Sequence, residues 1–354
     1  MVRPGLLFQR RFDLCTRAPG IGVRIAPSRA LGVLALGGAL LAVVALGRGA
    51  VAIAPARVVA ALAGDGSAQD LAIVWSIRLP RVILAMLVGG ALATAGTTLQ
   101  AIARNPLADP TLIGVSGGAA LGAVASLVAG VHGAWAMPVA AFAGAQVTTL
   151  VALRLARVDH RISAVTLLLG GVGLAALTGA GYGVMLYLAD DATLRSITFW
   201  SLGSLGGATW PAVVAVAIPV GLAALVLPGL ARDLDRLALG ELEAAHVGVD
   251  VDRVVRRAAL AASLAVGAAV ALCGVIGFVG LVVPYLGRLA VGPGHRALLP
   301  VAALGGAALL VAADLVARTA VAPAELPVGV VTAALGAPVL LALVRNGRGR
   351  EALP

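Results

Sequence analysis

AALAASLAVGAAVALCGVIGFVGLVVPYLG, residues 258–287, runs for thirty positions without a charged side chain. A membrane helix needs about 20 apolar residues to cross ~30 Å of hydrocarbon, so the stretch is long for one span and short for two. Its reading sets the topology of everything after it. Gly274, Gly277 and Gly280 would permit a tight turn inside it. The arginines decide between the readings. With two spans there, six of the 26 arginines (Arg48, Arg57, Arg78, Arg81, Arg195 and Arg318) fall outside and 20 in the cytoplasm. With one span every later loop flips, and the split becomes 10 to 16. The positive-inside rule favours two spans here, ten in all, with both termini in the cytoplasm.

The rest of the chain agrees with an all-α, polytopic membrane protein. Of 354 residues 60% are hydrophobic and 12% charged, with a mean hydropathy of +1.03; a soluble domain carries about 25% charge. Apolar runs fenced by arginine recur near 30–47, 82–103, 111–131, 134–153, 162–188, 209–230, 256–275, 277–292, 298–317 and 327–344. They define a ten-helix domain over 30–345, flanked by cytoplasmic tails at 1–29 and 346–354. The first tail holds six arginines but no apolar core beside a small-residue cleavage site, so it is not read as a signal peptide. With 3% aromatic residues and 46 glycines, the helices are expected to touch through small residues.

Composition also excludes functions. The net charge of +10 is accounted for by topology rather than nucleic acid. Every basic residue is arginine, and a P-loop needs a lysine for the phosphates, so an ATP-driven process would need a second chain. Cys15 and Cys273 cannot form a disulfide framework. His132, His160, His246 and His295 lie in separate loops, none paired at ligand spacing, so no metal site is expected. No nucleophile, base and acid converge either, which leaves no catalytic centre.

Trp75, Trp135, Trp200 and Trp210 all fall in loops that this topology places outside, as interfacial tryptophans can. Two short segments, ALATAG at 91–96 and VALCG at 270–274, read alike in spans of opposite orientation, the pattern of an inverted repeat.

Four motifs carry candidate chemistry. Arg78-Leu79-Pro80-Arg81 stands at the outer start of span two, suited either to anchoring in headgroups or to docking an acidic partner. Arg104-Asn105-Pro106-Leu107-Ala108-Asp109-Pro110, followed by Gly114-Val115-Ser116-Gly117-Gly118, breaks the helix on the inner side; it is an ordinary turn or a constriction. The loop 231–255 is the longest polar stretch and should form one or two short helices ended by Gly248, a dock for a cytoplasmic partner. Asp314 and Arg318 lie four apart near the outer end of span nine, followed by Glu325-Leu326-Pro327-Val328-Gly329.

In this order the motifs resemble the FecCD family, permease subunits of type II ABC importers for iron-siderophores, haem and cobalamin. The resemblance covers about 70–345 and includes Gln100, Trp200-Ser201-Leu202-Gly203-Ser204, Leu239-Gly240-Glu241 and Gly277-Phe278-Val279-Gly280. It departs at Tyr285, where many members have His, at Gly117 for a frequent Asn, and at Gly294 for a frequent Asp.

The resemblance implies the type II importer permease fold in the cytoplasmic (inner) membrane. Its partners would be a second permease subunit, identical or paralogous, two cytoplasmic ATPases that hold ATP and Mg, and an external solute-binding protein. It implies that Arg78, Arg81 and Arg318, exposed outside, dock the binding protein; that Asn105 and Leu107 form the cytoplasmic gate, with Ser163 and Thr166 on the path; and that Gly240, Glu241, Glu243 and Gly248 couple to the ATPase. The expected cargo is a ferric siderophore, with haem or cobalamin as the alternative, moved by alternating access. An ion-coupled secondary transporter would want carboxylates at mid-membrane, and Asp314, the only aspartate within a span, lies near an end.

Overall fold

The structure, a computed structural model, describes residues 25–49, 51–158 and 161–345; Cys15, His160, most of the 1–29 tail and all of the 346–354 tail lie outside the described residues. The chain is a bundle of helices: α1 Pro27–Gly47, α2 Pro55–Leu62, α3 Ala68–Leu71, α4 Leu79–Ala103, α5 Val115–Val128, α6 Ala136–Leu155, α7 Ala164–Leu188, α8 Asp191–Ser201, α9 Trp210–Val226, α10 Ala231–Leu237, α11 Glu241–His246, α12 Val251–Cys273, α13 Val279–Val291, α14 His295–Thr319 and α15 Val328–Arg345. A two-residue antiparallel pairing, β1 Arg157–Val158 with β2 Arg161–Ile162, joins α6 to α7.

Among the described residues seven helical stretches are long and apolar enough to cross a membrane, and three shorter apolar helices (α5, α13 and the 328–342 part of α15) accompany them. These ten lie where the sequence places ten spans. The second starts earlier than expected. A π-helical turn over Ala72–Arg78 joins α3 to α4, so Arg78 and Arg81 stand within a helical run rather than before it.

Residues 258–287 fold as two helices, the end of α12 and most of α13. Gly274 takes the left-handed conformation at the break (φ 71°), as expected. The second left-handed residue is Phe278 (φ 67°) rather than Gly277. A side chain there costs about 1–2 kcal/mol of backbone energy. What holds it is the ring, which lies against Gly336 of α15, where a larger residue would not fit.

α4 is the centre of the bundle: 18 of its 25 residues are buried, and it touches α9, α12, α13 and α14. Lipid is as apolar as leucine, so close van der Waals contact must replace the hydrophobic effect between spans. Gly89 lies against Gly306 of α14, and Gly96 against Gly280 of α13, backbone to backbone with no room for a Cβ.

α5 and α13, with 14 and 13 residues, are about 20 Å long and do not cross a ~30 Å core by themselves. Irregular backbone precedes each. At membrane depth such backbone is tolerated only inside protein or along a cavity. The two breaks meet: Pro110, in the turn before α5, packs on Gly280, and the Gln100 side-chain amide donates to the Gly280 carbonyl at 3.1 Å.

Candidate functional site

One end of the bundle carries three arginines. They are not exposed, as expected from the sequence, but buried at 5, 8 and 7% exposure for Arg78, Arg81 and Arg318. Each finds partners within the chain, although Arg318 Nε, buried, makes no hydrogen bond. Helix α1 ends with carbonyls that lack intrahelical partners. Arg78 donates to two carbonyls, that of Leu46 (2.5 Å) and that of Val51, while Arg318 donates to that of Ala45 at 2.6 Å. Cations at a helix C-terminus are favourable twice over, as donors and against the helix dipole.

Arg81 holds carboxylates from two other segments. Its Nε donates to Asp314 Oδ1 at 2.9 Å, and its two terminal nitrogens grip both oxygens of Glu325 at 3.0 and 2.9 Å. Asp314 also faces Arg318 Nε at 3.5 Å. The i,i+4 pair visible in the sequence is therefore half of a larger cluster in which Asp314 serves two arginines. The Trp75 and Trp210 rings meet at the same end, 6.4 Å between centroids, and Trp210 Nε1 donates to the Trp75 carbonyl. Beyond α7, Asp190 caps α8; the Thr193 N–H holds its carboxyl below the usual carboxylate range.

At the other end α4 terminates in a left-handed Arg104 (φ 47°). The Asn105 side-chain oxygen accepts from the Leu107 N–H at 2.9 Å, an Asx turn that leaves Leu107 exposed. Ser163 and Thr166, half-buried, begin α7. That helix packs on α5 and α6 and leaves Val165, Leu169, Val172, Leu177 and Val184 exposed along its length.

The 231–255 segment lies at this same end and forms α10 and α11. Gly240 opens α11 with φ 135°, a conformation that side chains rarely adopt, and the Glu243 carboxylate fills the space where a Cβ would go. Gly248 (φ 86°) follows α11 in the left-handed conformation, as the sequence predicted. Glu241, half-buried, accepts the Ala164 N–H at 3.0 Å and so caps α7.

The structure thus gathers the three arginines into one cluster at the start of α4 and brings Glu241 beside Ser163 at the start of α7, while Asn105 and Leu107 lie past the other end of α4. Sequence reasoning missed Glu325 as the partner of Arg81, and Asp235 and Asp252, which cap segments far along the chain. It also missed the apolar side chains that the segment presents to solvent, Leu239, Leu242 and Val247, each more than half exposed. A run of exposed leucine and valine inside an otherwise charged loop is the signal that could have found them.

A model of the FecCD transport family matches residues 37–346. The chain is 46% identical over 287 residues to the hemin transport system permease protein HmuU of Yersinia pestis, covering 78% of this chain and 84% of that one. It is 46% identical over 285 residues to the vitamin B12 import system permease protein BtuC of Vibrio cholerae, covering 79% and 85%. A cobalamin import system permease protein of Halobacterium salinarum is 45% identical over 275 residues, covering 77% and 73%. Among solved structures, a metal-chelate type ABC transporter in an inward-facing conformation superposes with a TM-score of 0.80 at 31% identity, covering 90% of this chain and 99% of that one.

Proposed function

The chain belongs to the FecCD transport family as a permease subunit of a type II ABC importer, and from that premise we propose that its cargo is a metal tetrapyrrole, haem or cobalamin. The observation that carries this reading is the 46% identity, over more than three quarters of the chain, to permeases named for hemin and for vitamin B12. A bulky chelate suits a path bounded by the small and aliphatic residues of α7 better than a site of fixed charges, which would slow release.

In this reading the arginine end faces outward and the 231–255 segment faces the cytoplasm, in the inner membrane, as the positive-inside count favours. Two permease subunits enclose the path between their α7 helices. Two separate ATPases hold ATP and Mg and seat on the segment around α11. A solute-binding protein delivers cargo to the arginine end through acidic side chains that compete for Arg81, with Arg78 and Arg318 bracing the surface from beneath. Nucleotide binding and hydrolysis shift the two-state equilibrium between outward and inward openings. Asn105 and Leu107 close the inner mouth, and Ser163 and Thr166 border it.

The test is uptake into proteoliposomes by the assembled importer, with its own binding protein, offered haem, cobalamin and ferric siderophores in parallel. ATP-dependent uptake of a tetrapyrrole is expected. Uptake of a ferric siderophore alone would return the cargo to the one expected from the family at large.

A further inference from the structure

The acids of the 231–255 segment complete helices across the cytoplasmic end of the bundle. The first N–H groups of a helix lack intrahelical partners, and a carboxylate there is favoured by both hydrogen bonding and the helix dipole. α7 does not use its own cap: Ser163 makes no side-chain bond to it. Glu241 accepts the Ala164 N–H at 3.0 Å instead, and Asp252 accepts the N–H of Ile162, in the strand just before, at 2.7 Å. α14 follows Gly294, which has no side chain to offer, and Asp235 accepts both the His295 N–H at 2.8 Å and the imidazole Nδ1 at 2.6 Å. Asp250 caps α12 from its own chain position. Meanwhile Leu242, on the same short helix as Glu241, is 70% exposed. One six-residue helix therefore presents an apolar surface to the cytoplasm and a charge-assisted bond to the start of α7.

We infer that Glu241 is a positioning residue that transmits movement of the coupling segment to α7, with Asp252 gripping the strand that leads into it. This rests on the reading that the segment seats the ATPase. A charge-assisted bond to a backbone N–H is directional and stronger than a neutral one, so displacement of α11 moves the first turn of α7 with it rather than sliding past.

The experiment uses the assembled transporter with its ATPase in lipid, with Cys15→Ser and a spin label on Leu169→Cys, an exposed position in the second turn of α7; Cys273 is buried and stays unlabelled. Three variants are compared. Glu241→Ala removes the acceptor. Glu241→Gln keeps an oxygen there. Ala164→Pro removes the donor without altering the coupling segment: proline is tolerated at the first helical position, and Ser163 already has the extended conformation that a following proline requires. The nucleotide-driven change at the label should be lost in Glu241→Ala and Ala164→Pro and kept in Glu241→Gln. Cargo moved per ATP should fall about tenfold in the first two, the worth of one charge-assisted bond, while the ATPase still co-purifies. A full label response in Ala164→Pro would overturn the inference. An ATPase still bound to a Leu242→Arg chain would overturn the seat itself, by a different readout.

Discussion

Arg81 grips Glu325 with both terminal nitrogens, at 3.0 and 2.9 Å, while its Nε holds Asp314 at 2.9 Å. The two acids are not equivalent. Asp314 is 2% exposed at its side chain and Glu325 46%. Truncating the buried acid leaves two buried cations short of a counter-charge, which costs about 3–5 kcal/mol, whereas a half-exposed pair contributes about 1 kcal/mol or less. Asp314→Ala should therefore lower the thermal stability of the purified permease far more than Glu325→Ala, read by unfolding in detergent. Equal losses would mean that the cluster is as wet as the loop.

Glu325 occupies the fork of Arg81 that an acidic partner would need. Glu325→Gln weakens that occupation without removing Arg81, so affinity for the binding protein should rise about threefold to tenfold, the scale of one exposed charge-assisted pair. Arg81→Glu should abolish association. Both are read by titrating binding protein onto the permease in lipid. A fall in affinity on Glu325→Gln would place Glu325 among the docking residues themselves.

The contact of Gly96 with Gly280 leaves no space for a side chain. Gly96→Val forces α4 and α13 apart and should cost about 3 kcal/mol or more, since backbone cannot yield as a side chain would. The variant should show reduced accumulation and a lower unfolding temperature, whereas Gly221→Ala in α9, where a Cβ meets open space, should show neither.

Leu239 and Leu242 stand in solvent on the 231–255 segment. Replacing both with arginine should release the ATPase on co-purification and remove ATP-dependent uptake, while the permease itself remains as stable as before. Burial of such side chains against a partner is worth about 1.5–3 kcal/mol each. Retention of the ATPase would locate its seat elsewhere.

The ten apolar helices were legible because span length and arginine placement are one-dimensional signals. So was Gly248, whose left-handed role follows from a short helix ending beside it. Phe278 was not legible: the glycines flanking it carry the usual signal for a left-handed residue, and only the pocket made by Gly336, nearly sixty positions later, explains why the phenylalanine takes it. The three arginines were found by motif, yet their exposure was misjudged. Apart from the i,i+4 contact of Arg318 with Asp314, their partners are the carbonyls of Ala45, Leu46 and Val51 and two acids 233 and 244 positions beyond Arg81, distances over which sequence spacing carries no information. Glu241 was picked out by its segment, and its bond to the start of α7 was not foreseen. An acid in a charged loop reads as solvated until the fold brings the bare start of another helix to it.

Asp235, Glu241 and Asp252 finish the backbone bonding of segments that lie 60 to 90 positions away from them in the chain. A region wired in this manner cannot be traded between relatives as a cassette. Chimaeras that exchange 231–255 alone should misassemble, and those that carry the openings of α7 and α14 along with it should not.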